Sequence, residues 1–174
     1  MKTTFLKIIA GTGLAFTLIV VFAQFWAAAQ NTTGKQSPTG NTAGNNAGKI
    51  VGVWDAQVMV RNCQTGAAMQ SCRSLLNFAA GGTMQETTAG TAPNLRSPGH
   101  GVWRHLDENR FSNAFKFFHF KADGNYDGWQ KTSQQIDLSA DGKQFTATAS
   151  IEIYDANDQL AKTGCATAAA VRFE

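Results

Sequence analysis

"KIVGVWDAQVMVRNC", residues 49–63, is the stretch on which the fold turns. A Gly-x-Trp, Gly52 to Trp54, heads a run rich in valine, and such a run reads as a β-strand over 50–61. A large aromatic at the head of a strand must be buried against something. The rest of the chain has to supply the partner.

Beyond this strand, no window of about a dozen residues sustains an i, i+3, i+4, i+7 apolar pattern. Short β-rich runs recur instead, over 71–79, 83–88, 101–106, 110–121, 126–138, 144–154 and 160–173. Turn residues separate them: "AAGG", "DEN", "ADGN", "SADGK" and "DANDQ". The longest irregular stretch, "AGTAPNLRSPGH", fills 89–100. Asp123-Gly124 and Asp141-Gly142 supply the positive φ angles of tight hairpins, so neighbours in sequence become neighbours in space. Eight antiparallel strands in simple order remove their exposed edges only by closing. The predicted class is all-β, an eight-stranded antiparallel up-and-down β-barrel, whose interior holds packed side chains or one small ligand.

Closure pairs the first strand with the last, and opposite positions of an antiparallel pair have a constant sum. Trp54 and Arg172 sum to 226, and Cys63 and Cys165 to 228, within one two-residue step. An Arg guanidinium laid on the Trp54 ring is a stack of about 0.5–2 kcal/mol, and it would plug one end of the barrel. One pattern conflicts. Phe145, Ala147, Ala149, Ile151 and Ile153 form the apolar face of the seventh strand. If Glu152 lies opposite Lys162, the even residues of the last strand point outward, whereas Arg172 inside requires them inward. A bulge near Gly164 would reconcile the two.

"GVWDA" at 52–56 and "AVRF" at 170–173 together resemble the calycin superfamily, which includes lipocalins and fatty-acid-binding proteins. There a Gly-x-Trp opens the first strand and an Arg from the last covers the Trp. The resemblance implies a calycin-like barrel that carries a small ligand. Residues 50–173 are also similar to a group of bacterial secreted proteins with "GHGVW", "FKFFHF" and "EIYDAN" segments. The later-loop motifs of lipocalins are not recognisable.

Residues 1–29 have two lysines before an apolar run and end in Ala27-Ala28-Ala29, the layout of a secretory signal cut after Ala29. The alternative is an uncleaved anchor, since the run is near bilayer-spanning length. Secretion or a periplasmic location follows from cleavage, membrane attachment from retention. Residues 30–49 lack aromatic and branched apolar residues and read as a disordered linker. The sequon at Asn31 matters only in a eukaryotic host. Residues 50–174 form one domain. Removing Lys2 and Lys7 leaves 13 basic against 12 acidic residues, and no basic block with interleaved aromatics supports nucleic-acid binding.

Export favours a disulfide. The expected bond is Cys63–Cys165, which would staple the closing seam; the alternative, Cys63–Cys72, would clasp the first hairpin. His100, His105 and His119 do not converge, so neither a metal nor another cofactor is implied. Phe111, Phe115 and Phe117 share one face of the fifth strand, with Phe118 and Phe120 on the other, toward the 89–100 loop. Ala166 and Ala168 present little bulk across the barrel, so Phe115, Phe117, Ala166 and Ala168 are the expected walls of a ligand cavity. No nucleophile elbow, phosphate loop or favoured carboxylate pair appears, and no catalytic residue is assigned. The expected function is non-catalytic binding of a small apolar or amphipathic molecule. The alternatives are a barrel enzyme of the allene-oxide-cyclase or dirigent kind, and a filled structural module of the cell envelope.

Overall fold

The computed structural model describes residues 47–174. The expected signal at 1–29 and most of the 30–49 linker lie outside the described residues. A 3-10 helix, Ala47–Ile50, leads into β1 (Gly52–Arg61), β2 (Ala68–Phe78), β3 (Thr83–Thr88), β4 (Gly99–Asp107), β5 (Arg110–Phe120), β6 (Tyr126–Leu138), β7 (Gln144–Asp155) and β8 (Leu160–Arg172). A second 3-10 helix, Pro93–Leu95, lies between β3 and β4. Each strand pairs antiparallel with the next, and β8 returns to β1, so the sheet is a closed barrel in up-and-down order. No helix among the described residues is long and apolar enough to cross a membrane.

The seam carries the register expected from the sums: Trp54 faces Arg172, Ala56 faces Ala170 and Arg61 faces Cys165. Cys63 lies past the end of β1 and bonds Cys165 across a Cα–Cα distance of 5.3 Å. The hairpin pairing Cys63–Cys72 is not formed. Cys72 sits opposite Val58 on the inward face and is a free thiol.

The β7–β8 register removes the parity conflict without a bulge at Gly164. Ile151 faces Gly164, Glu152 faces Thr163 and Ile153 faces Lys162. The pairing of Glu152 with Lys162 is therefore wrong by one residue. The odd inward residues of β7 meet the even inward residues of β8 directly. Glu152 forms its ion pair with Lys131 of β6 instead, at 3.2 Å. The irregularity in this ladder lies further on, between Ile153 and Tyr154.

One end of the barrel is solid. Its largest fully buried side chains are Trp54, Phe78, Phe111, Ile50 and Ile136. At about 1.5–3 kcal/mol for each buried apolar side chain, this half carries much of the hydrophobic stabilisation. The Trp54 ring meets Phe145 with centroids 4.9 Å apart, and Trp103 meets Phe111 at 6.1 Å. Ile50 belongs to the 3-10 helix, not to the strand that the sequence suggested, and it caps this end from below.

The plug answers the question posed by Gly-x-Trp. The Arg172 guanidinium lies 4.4 Å from the Trp54 ring centroid. It donates to the Val51 carbonyl at 2.8 Å, to Gly142 at 3.1 Å and to Lys49. Trp54 Nε1 donates to the Ile50 carbonyl at 2.8 Å. The orphan carbonyls at the end of the 3-10 helix are thus satisfied by the two residues of the plug. Gly52 has φ +132°, and a Cβ there would stand 2.7 Å from Arg172 Nη1, so both backbone and space require glycine.

Candidate functional site

Above the aromatic core the interior opens. β5 turns Phe115, Phe117 and His119 inward, while β8 turns Ala166 and Ala168 inward with Gly164 above them. Small residues on one wall and rings on the other leave a cavity of about 270 Å³. Phe115, Phe117, Ala166 and Ala168 all line it, so the structure brings the four sequence-predicted wall residues to one space. A larger groove of about 460 Å³ runs outside the barrel over Thr146 and Ala169, but it is a surface depression. The interior cavity is the candidate site.

A latch closes part of the mouth, and the sequence did not reveal it. The β3–β4 loop folds back over the opening. Ser97 N–H donates to the Phe118 carbonyl at 3.0 Å, and Phe118 N–H donates to Ser97 Oγ at 3.0 Å. Arg96 bridges to His119 and drops its side chain into the barrel. Its guanidinium lies 3.6 Å from the Phe117 ring centroid, and its Nη2 donates to Glu86 Oε2 at 2.6 Å. Both partners are buried, with side chains only 6% and 5% exposed. The other carboxylate oxygen, Oε1, accepts from Ser74 Oγ at 2.7 Å. Gly99 makes room for the latch: a Cβ there would stand 2.9 Å from Phe115 and 3.0 Å from Glu86.

Phe118 does not tuck under this loop. The loop holds its backbone, while its ring is 46% exposed on the outer face, where it meets Tyr126.

The cavity wall is two-sided. Val58, Ile151, Ala166 and Ala168 give an apolar side from β1, β7 and β8. β6 gives a polar row of Gln130, Thr132 and Gln134. Asn113 Nδ2 donates to Gln134 Oε1 at 2.8 Å and Gln130 Nε2 to Thr132 Oγ1 at 3.1 Å. Two buried polar atoms near this row have no partner: Asn113 Oδ1 and His119 Nε2. Burial, and next the nearby Arg96 charge, hold the His119 imidazole below its ordinary 6.5, while Gln130 and Asp127 act in the opposite sense.

The histidines stay apart, as the sequence implied. His100 pairs with Lys116 on the outer face, and the His105 ring lies against Phe111 with centroids 4.9 Å apart. No cluster of three metal-binding side chains occurs among the described residues. Glu86 is the buried carboxylate of the interior, and both of its oxygens are occupied by Arg96 and Ser74. One signal could have found the latch. On β3 the inward alternation is Met84, Glu86, Thr88, and an inward acid requires a cation. Nothing in the sequence marks Arg96 as that cation.

No protein-family model and no curated protein matches this sequence.

Proposed function

We propose that the protein binds one small amphipathic molecule in the open half of the barrel. The observation that carries this reading is the two-sided cavity of about 270 Å³ at the end opposite the plug. Natural interiors are close-packed, so a cavity of this size with both apolar walls and unpartnered polar atoms is suited to an occupant. A filled structural module fits such a space less well. Of the buried groups that an enzymatic barrel could use, the Glu86 carboxylate is engaged by Arg96 and Ser74. The Trp54–Arg172 plug and the eight-strand count support a calycin-like assignment. The Cys63–Cys165 bridge supports work in an oxidising compartment outside the cytoplasm.

The test has two parts. Protein purified from its native host is extracted, and the released small molecules are identified by mass spectrometry. Separately, N-phenyl-1-naphthylamine fluorescence is titrated against the empty protein. One probe per barrel is expected, and Ala168→Trp should abolish binding by filling the space while leaving the fold intact by circular dichroism. An unaltered titration in Ala168→Trp would sink the interior-site reading.

A further inference from the structure

The chemistry of the cavity wall narrows the class of ligand, an inference that rests on the binding reading above. The buried charges of the interior, Arg96 and Glu86, are already matched. Arg96 is held by Glu86 at 2.6 Å, and its Nε donates to the Ser97 carbonyl at 3.1 Å. An anionic ligand would have to displace Glu86 or enter without a buried counter-charge, and uncompensated burial of an ion is heavily penalised. The polar groups left for a ligand inside the cavity are amides, hydroxyls, the Cys72 thiol and one imidazole, with the exposed Lys162 ammonium at the mouth.

The imidazole is the informative one. His119 lines the cavity, and its Nε2 is buried without a partner. Its ring lies 5.0 Å from the Phe117 ring, nearly edge-on at 67°. Polar hydrogen bonding and an aromatic surface therefore meet at one corner. The Gln130 amide nitrogen is engaged by Thr132. A neutral imidazole has one N–H. With that proton on Nδ1, Nε2 is a bare acceptor. An unsatisfied buried acceptor is unfavourable until a donor reaches it.

We propose that the cavity selects compact, uncharged amphiphiles whose single hydrogen-bond donor, a phenolic hydroxyl or an N–H, is given to His119 Nε2 while the apolar body lies against Phe117 and the Ala166–Ala168 wall. Long acyl chains do not fit about 270 Å³, a volume just under the lower end of typical ligand pockets.

Three probes of one shape separate the possibilities: 4-propylphenol, 4-propylanisole and 4-propylbenzoate, titrated by calorimetry at pH 7.5. The phenol should bind about tenfold more tightly than the anisole, which has no donor, as expected for one satisfied buried hydrogen bond. The benzoate should bind more weakly than either. His119→Phe should bring phenol and anisole to equal affinity, and His119→Leu serves the same purpose should the larger ring fail to fold. Equal binding of phenol and anisole to the wild type overturns the donor assignment but leaves the interior binding site standing. Tightest binding of the benzoate overturns it too, and points to Arg96 or Lys162 as an anion anchor. No binding of any of the three, together with no binding of N-phenyl-1-naphthylamine, overturns the binding reading itself.

Discussion

The two ends of this barrel are each closed by an arginine on an aromatic ring, and they differ in what else the arginine holds. At the solid end Arg172 covers Trp54 at 4.4 Å and donates to neutral carbonyls of Lys49, Val51 and Gly142. At the open end Arg96 covers Phe117 at 3.6 Å and is paired to the Glu86 carboxylate. The first arginine belongs to a strand and completes a packed core. The second belongs to a loop and leans over a cavity. A plug made with neutral partners can be weakened by degrees, whereas a latch made with a buried charge leaves a stranded ion when either partner is lost.

The sharpest break of that comparison is in packing. Trp54→Ala should cost about 3–5 kcal/mol, because the residue is fully buried among close neighbours. Phe117→Ala borders a space that already exists, so its loss should be smaller, on the order of 2–3 kcal/mol. Urea unfolding of both variants measures the difference. Equal costs would mean that the open half is as tightly packed as the other.

The arginines come next. Arg96→Met should cost about 3–5 kcal/mol, since it leaves Glu86 charged and buried. Arg172→Met should cost less, about 1–3 kcal/mol, from lost hydrogen bonds to carbonyls at roughly 1 kcal/mol each. The double variant Glu86→Leu with Arg96→Met should recover most of the stability, as replacing both members of a buried pair often does. A double variant no more stable than Arg96→Met alone would show that the charge is not the source of the cost.

The disulfide fastens the seam at the open end, as Arg172 does at the other. Breaking it with Cys63→Ser should cost about 2–4 kcal/mol, within the range for a bridge closing a long loop. The separation here is 102 residues. Native-state hydrogen exchange should show the loss of protection concentrated around Arg61 and Cys165, with the amides near Trp54 little changed.

How much of this was legible depends on where the residues sit. Strand periodicity and Asp-Gly turns located all eight strands, because period-2 burial is a local property of the chain. The Trp54–Arg172 and Cys63–Cys165 pairings followed from closure, since a barrel turns two distant strands into neighbours of fixed register. The Glu152–Lys162 expectation fails because a single charge pair does not set the β7–β8 register. The burial of every inward residue on two strands outweighs one exposed ion pair. Arg96 was out of reach for a different reason. It lies in an irregular loop with no period, and its partner Glu86 lies ten residues earlier on a strand. Only the folded loop puts them together. The cavity walls were half legible: the Phe and Ala faces came from alternation, but His119 read as a scattered histidine because its unpartnered nitrogen is a property of packing.

The smallest expected effect concerns that histidine and distinguishes the open end from the surface turns. Burial and Arg96 lower the His119 pKa in the folded state below the ordinary 6.5. The unfolded chain therefore binds a proton at a pH where the folded chain does not, and stability falls as pH drops below about 6.5 toward the folded value. Below the folded value the loss is complete and constant. The turn carboxylates act in the same sense but in a lower pH window. Asp107, held by Arg110, Asp123, held by Asn125, and Asp141, held by Ser139, are all lowered from 3.8, so their contribution persists above that pH and fades only below it. The carboxylate window opens at a lower pH than that of the imidazole. Urea midpoints at pH 7.5, 6.0 and 5.0 should decline more in the wild type than in His119→Gln, whose side chain does not titrate. The gap between the two proteins should be smaller than any of the effects above, because the ring is only partly buried. Parallel declines would mean that the imidazole titrates as freely as in the unfolded chain, and that the mouth of the barrel is as wet as its outer surface.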